Sequence, residues 1–244
     1  MNGSRGIGAA FVLGALLAGG LAVAGYLMGV GVGQVRAGER YVTVRGLAER
    51  ELPANLAIWP LVYNTTGDDL AQLYASLDRD AETIARFLVA RGFAAEEISR
   101  SAPRVTDFEA QSYGGNRPPQ RYGVEGTVML RTAKVGEVKA AMQASAELVR
   151  EGITLIRSYE ASPLFLFTEL AAIKPEMIAE ATRSAREAAD QFAQDSASRI
   201  SGIHRASQGL FQILPRDNAP GQSEELQLFK TVRVVTTVDY RLAD

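Results

Sequence analysis

Cysteine is absent from the 244-residue chain, and histidine and tryptophan occur once each, as His204 and Trp59. No disulfide, thiolate metal site or cysteine nucleophile is available, and one histidine cannot build a His-rich metal centre or a His-Glu-x-x-His motif. Surplus charge of one sign is missing too. With 26 basic and 28 acidic residues the net charge is −2, which gives no reason to expect a nucleic-acid partner, since phosphate binding needs a concentrated basic surface. No Gly-x-Ser-x-Gly nucleophile elbow occurs. Gly29, Gly31 and Gly33 imitate a dinucleotide loop, but they lie inside an apolar run rather than between a strand and a helix.

What the chain has in plenty is one uncharged stretch. Between Arg5 and Arg36, residues 6–35 carry no charge. As a helix they would reach ~45 Å, against a hydrocarbon core of ~30 Å. A cleavable signal is the competing reading: Phe11–Ala24 serves as its apolar region, and Ala22-Val23-Ala24 is a small-residue cleavage triplet. The uncharged Gly25–Val35 that follows favours retention as a membrane anchor. Gly25, Gly29 and Gly33 recur every four residues, a spacing that places small residues on one helix face and allows self-association in lipid. Arg5 on one side and Arg36 and Arg40 on the other give no charge asymmetry with which to orient the span.

After Arg40 the hydrophobic period alternates between two and 3.6. The stretches 41–53 and 55–64 read as strands with Pro53-Ala54 as the turn, and 68–92 reads as a helix stopped by Gly92. Two strand candidates follow, around Arg100–Ala110 and Arg121–Arg131, separated by a Gly/Pro-rich loop. Val135–Arg150 is an amphipathic helix, and 152–161 and 163–168 read as strands. The longest helix is expected from Pro175 to about Ile200, with proline in its first turn. Its buried stripe is predicted as Met177, Ala181, Ala185, Ala188, Phe192, Ser196 and Ile200. The final strand places Leu226, Leu228, Val232, Val234, Val238, Tyr240 and Leu242 on one face.

The expected organisation is an amino-terminal anchor or signal segment (1–40), a first block (41–132), a connecting helix (133–151) and a second block (152–244). Each block runs strand, strand, helix, strand, strand. The fold class is α+β, an N-terminal transmembrane helix followed by mostly antiparallel sheets covered by helices.

Candidate chemistry is thin. His204 with Ser201 or Ser207 has the residue types of a base and a nucleophile but no geometry from sequence alone. Glu49 with Glu51, and Asp107 with Glu109, are i,i+2 acid pairs that share a face if they lie in strands. Tyr113, Arg117 and Tyr122, on or beside a long hairpin tip, are residue types that anchor protein interfaces and mark a candidate interface loop. Trp59 is expected in the core or an interface. No catalytic, cofactor-binding or metal-binding residue is assigned, and no cofactor.

Three stretches, Val42–Trp59, Ile173–Ile203 and Lys230–Leu242, together resemble the SIMPL-domain family over about residues 41–242. The Gly46-x-x-Glu49 step and the Ala181-x-x-x-Ala185-Arg186 helix carry the likeness most specifically. The resemblance implies a protein of the bacterial envelope, with ring- or channel-like homo-oligomers, and brings no catalytic residues. The expectation is thus a non-enzymatic, single-pass inner-membrane protein. Its domain faces the periplasm, its partners are itself and the bilayer around residues 6–35, and it assembles into a ring or cage. The alternative is a soluble periplasmic binding or oxidative-stress-related module released by cleavage after Ala24.

Overall fold

A computed structural model of the protein describes residues 14, 16–28, 40–110, 118–158, 160–221 and 223–243. The architecture is α+β with antiparallel sheets, as the periodicities predict. Residues 16–28 form helix α1. The remaining elements are β1 (Tyr41–Pro53), β2 (Leu56–Gly67), α2 (Leu70–Ala90), β3 (Ile98–Arg100), β4 (Arg104–Asp107) and β5 (Tyr122–Thr132), then α3 (Val135–Ala144), α4 (Ala146–Arg150), β6 (Leu164–Leu166), α5 (Leu170–Asp195), β7 (Arg199–Gln208), β8 (Gln212–Pro215) and β9 (Phe229–Ala243). Among the described residues no helix is long and apolar enough to cross a membrane. Much of the expected 6–35 span, including Gly29 and Gly33, lies outside the described residues. Gly25 is within α1, its Cα facing open space.

The chain forms two compact units, one of Met1–Arg45, Ala185–Ser207 and Thr237–Asp244, the other of Gly46–Ser184 and Gln208–Thr236. In the larger unit β2 and β5 are the central antiparallel pair, in register from Ala57↔Thr132 to Gly67↔Tyr122. β6 lies along the other edge of β2, and β3 and β4 along the other edge of β5. Alternate residues of β2 (Ala57, Trp59, Leu61, Tyr63) and β5 (Val124, Val128, Leu130) point inward, the period-two pattern of a sheet with one covered face. α2 supplies the cover through Leu73, Leu77, Ala81, Ile84 and Leu88. Asp69 starts that helix by accepting hydrogen bonds from the N–H groups of Ala71 (2.8 Å) and Gln72 (3.3 Å). Gly92 ends it at φ 86°, a left-handed conformation that glycine adopts without strain. Opposite Tyr63 stands Gly126, where a β-carbon would lie 2.6 Å from the ring; its absence lets the Tyr63 hydroxyl reach and donate to the Leu77 carbonyl.

The second sheet has the order β1-β9-β7, with β8 beside β9 as well. β1 and β2 follow one another in sequence yet belong to different sheets, and β6 from the second sequence block joins the sheet of the first. Within the larger unit, Ala48 of β1 and Val232 and Val234 of β9 pack on Met177 and Ala181 of α5. Within the smaller unit, Val44, Val238 and Tyr240 pack on Ala185 and Ala189. Arg50, on the inward side of β1, bridges to α5 through Glu176 (2.7 Å) and Glu180 (3.3 Å), and both carboxylates raise the affinity of its guanidinium for the proton.

Several sequence expectations need correcting. α5 begins at Leu170, five residues before Pro175, so the proline sits inside the helix rather than opening it. The helix ends at Asp195 instead of Ile200, followed by Ala197 at φ 51°; Ser196 leaves the stripe and Ile200 becomes part of β7. The buried stripe steps by four throughout, Met177-Ala181-Ala185-Ala189-Ala193, leaving Phe192 58% exposed. The helix expected over Val135–Arg150 is broken at Ser145, whose hydroxyl donates to the Met142 carbonyl. Among the described residues of the strand expected at 152–161, an isolated bridge joins Leu155 to Tyr63 in place of a regular strand.

Candidate functional site

The acid pairs singled out from the sequence do not act as pairs. In the β4–β5 hairpin the Arg121 guanidinium lies 3.1 Å from Asp107 and 3.2 Å from Glu109, so one arginine neutralises both carboxylates. Asp107 also accepts from the N–H groups of Glu109 and Ala110, and Asp68 accepts from the Arg121 N–H. Arg121 first, then these amides, hold the Asp107 carboxyl below its ordinary range, the opposite of what a general acid needs. Glu49 has Arg233 at 3.4 Å, and Glu51 lies in the field of Arg216. Among the described residues no three His, Cys, Asp or Glu side chains converge to hold a metal.

His204 is equally occupied. Its ring stacks on Tyr41 at 5.8 Å between centroids, and its Nδ1 lies 3.3 Å from an Arg241 nitrogen. The Ser201 hydroxyl donates to the Arg241 backbone carbonyl rather than to the histidine. The base-and-nucleophile arrangement does not form with Ser201. Tyr122 opens β5 opposite Gly67 and Asp107, half-buried, with the Arg121 guanidinium 4.8 Å from its ring. Tyr113 and Arg117 lie outside the described residues. Trp59 is buried in the core of the larger unit.

Three surface clefts of about 290, 360 and 550 Å³ open in the larger unit. In the second, Arg216 and Asp217 pair at 2.7 Å, and that contact holds the Asp217 carboxyl low.

The feature that stands out is an edge. β7 ends the β1-β9-β7 sheet, and among the described residues no strand lies along its other side. An ordinary edge strand keeps one face on a core. β7 does so only at its start, where Ile200 packs against the cluster of Val44, Ala185, Ala189, Val238 and Tyr240; from Ile203 to Gln208 every residue is exposed. Ile203 is 54% exposed and Leu210, just beyond, 88%. The run Ile200-Ser-Gly-Ile-His204 carries no proline and no lysine, the residues that commonly blunt an edge against pairing with another chain. Openness of an edge depends on which strands neighbour it, and no periodicity in the sequence reports that.

Comparison with known families gives one match. The profile named SIMPL, described as a protein of unknown function (DUF541), matches residues 42–240. The chain belongs to the SIMPL family. The match begins in β1 and ends in β9, so the SIMPL domain takes in both sheets and α5, and leaves α1 outside. No curated protein matches the chain.

Proposed function

We propose that this SIMPL protein is a non-enzymatic envelope protein. Residues 6–35 hold it in the inner membrane, and its SIMPL domain faces the periplasm and assembles with copies of itself into a ring- or cage-like homo-oligomer. The observation that carries the reading is the edge at β7: a ten-residue strand, exposed at every position from Ile203 to Gln208, along whose other side no strand lies among the described residues. Assembly puts such an edge to use.

The anchor is supported by the surface of α1. Every described residue of it is exposed, including Leu16, Leu17, Leu21, Leu27 and Met28. Bare apolar area of this kind is unfavourable in water by ~25 cal/mol per Å² and is relieved by lipid. Holding the domains in one plane raises their local concentration, so weak lateral contacts suffice for assembly.

The competing reading, a soluble periplasmic binding or stress-related module, requires removal of this helix after Ala24. Fractionation of cells producing the full chain separates the two. The anchored reading expects the protein in the membrane pellet after alkaline carbonate washing, with its apolar segment intact by amino-terminal sequencing. A soluble product beginning at Gly25 would refute it in favour of the released module.

A further inference from the structure

We propose that the second cleft of the larger unit, between α3 and the stretch that leads into β9, binds a small monocarboxylate with an apolar body. This site is separate from the β7 edge, and its occupancy depends neither on assembly nor on the anchor.

The cleft encloses about 360 Å³, within the roughly 300–1,000 Å³ of small-molecule sites. Its walls are mainly apolar: Met142 comes from α3, Phe165 from β6, and Leu226, Leu228 and Phe229 from the chain entering β9. Phe165 is buried, whereas Phe229 is 43% exposed, with the Arg216 guanidinium 5.1 Å from its ring centroid. Polar contacts fix these walls in advance. The buried Gln227 accepts from the Asp217 N–H at 3.0 Å and donates to the Asp217 carbonyl at 2.6 Å. Lys230, one residue beyond Phe229, is tied to Glu224. A cleft already in shape takes a ligand without first having to order its own side chains.

The polar lining decides what the ligand carries. Arg216 and Asp217 neutralise each other at 2.7 Å. Lys139 has no such match. It lies three residues before Met142, on the same face of α3, and is exposed. Among the described residues it makes no ion pair or hydrogen bond. The cleft thus combines one surplus positive charge with an apolar wall. A monocarboxylate satisfies both, its head taking a charge-assisted hydrogen bond from the Lys139 ammonium and its body lying against Phe165 and Phe229. A neutral apolar molecule leaves the ammonium unmatched. A dianion brings a second charge that no other unpaired cation of the lining meets.

The test titrates the full-length protein in lipid nanodiscs with para-trifluoromethylbenzoate and with the matching carboxamide. Binding is read by fluorine NMR, with empty nanodiscs as the background for partition into lipid. Both probes are expected to saturate, the carboxylate about tenfold more tightly, as one charge-assisted hydrogen bond gains over a neutral one. Lys139→Met keeps the apolar stem and should erase that preference while leaving carboxamide binding unchanged; Lys139→Arg should restore it. Phe229→Ala should weaken both probes by a similar factor and leave their ratio intact. Signals no different from empty nanodiscs, or a carboxylate preference that survives Lys139→Met, overturn the site. Neither result touches the assembly reading, which is decided by copy number.

Discussion

Glu224→Ala is expected to cost about 3 kcal/mol of stability, and on that scale to lower the melting temperature of a chain this size by roughly 6–12 °C. The cause is Lys230. It sits on the inward face of β9, with side-chain exposure of 0%, and its ammonium is 2.8 Å from a Glu224 carboxylate oxygen. Its Nζ also donates to the Glu224 backbone carbonyl. Deleting the carboxylate leaves a cation in the interior with no counter-charge, and the desolvation cost of the lysine is then no longer offset. Lys230→Met removes charge and need together while keeping a flexible chain of similar volume, and should melt close to the unaltered protein. The contrast between the two variants, read by thermal denaturation, is the test. Equal melting temperatures for Glu224→Ala and Lys230→Met would show that the ion pair does not hold the β8–β9 region.

The second large effect concerns α5. Ala185→Leu is expected to destabilise by about 2–3 kcal/mol, because the helix lies against β1 and β9 with no room for a longer side chain. Ala185 and Ala189 are wholly buried against Val44, Val238 and Tyr240. A leucine there must push the helix outward or take a strained rotamer. Phe192→Ala, on the exposed side of the same helix, should stay within about 0.5 kcal/mol, the usual range for surface changes. Had the helix buried the stripe expected from sequence, through Ala188 and Phe192, Ala185 would be buried all the same, and Phe192→Ala would cost about 3–5 kcal/mol instead. Urea unfolding of both variants decides between these faces.

These two sites also mark where the sequence was readable. The alternation of β9 was plain from Val232, Val234, Val238 and Tyr240, and those residues do face the core. Lys230 falls on the same alternation, but a lysine reads as solvent-facing, and its partner Glu224 opens a single 3-10 turn, Glu224–Leu226, whose position no periodicity predicts. The α5 stripe was legible as far as Ala185. Beyond that point, steps of three and four are both compatible with an apolar face, and only the sheet beneath decides that Ala189 rather than Ala188 goes inward. The strands themselves were mostly visible, whereas their partners were not. A tight turn at Pro53-Ala54 looks like a hairpin in sequence, yet β1 and β2 enter different sheets, since pairing depends on contacts hundreds of residues apart in chain order: Leu242 donates its backbone N–H to Arg40. The candidate site divides in the same way. The acidic pairs were visible as residues, but Arg121, just before β5, and Arg233 of β9 reach them from distant parts of the chain. The open edge of β7 is a property of the assembled sheet.

The central claim is that a full-length, membrane-held SIMPL protein works by assembling with itself. A native mass spectrum of the protein extracted from membranes in mild detergent reads protomer mass and copy number together. The account predicts a protomer at the full 26.2 kDa within one large complex of a single stoichiometry. A monomer, whether full-length or shortened at its amino terminus, would contradict it.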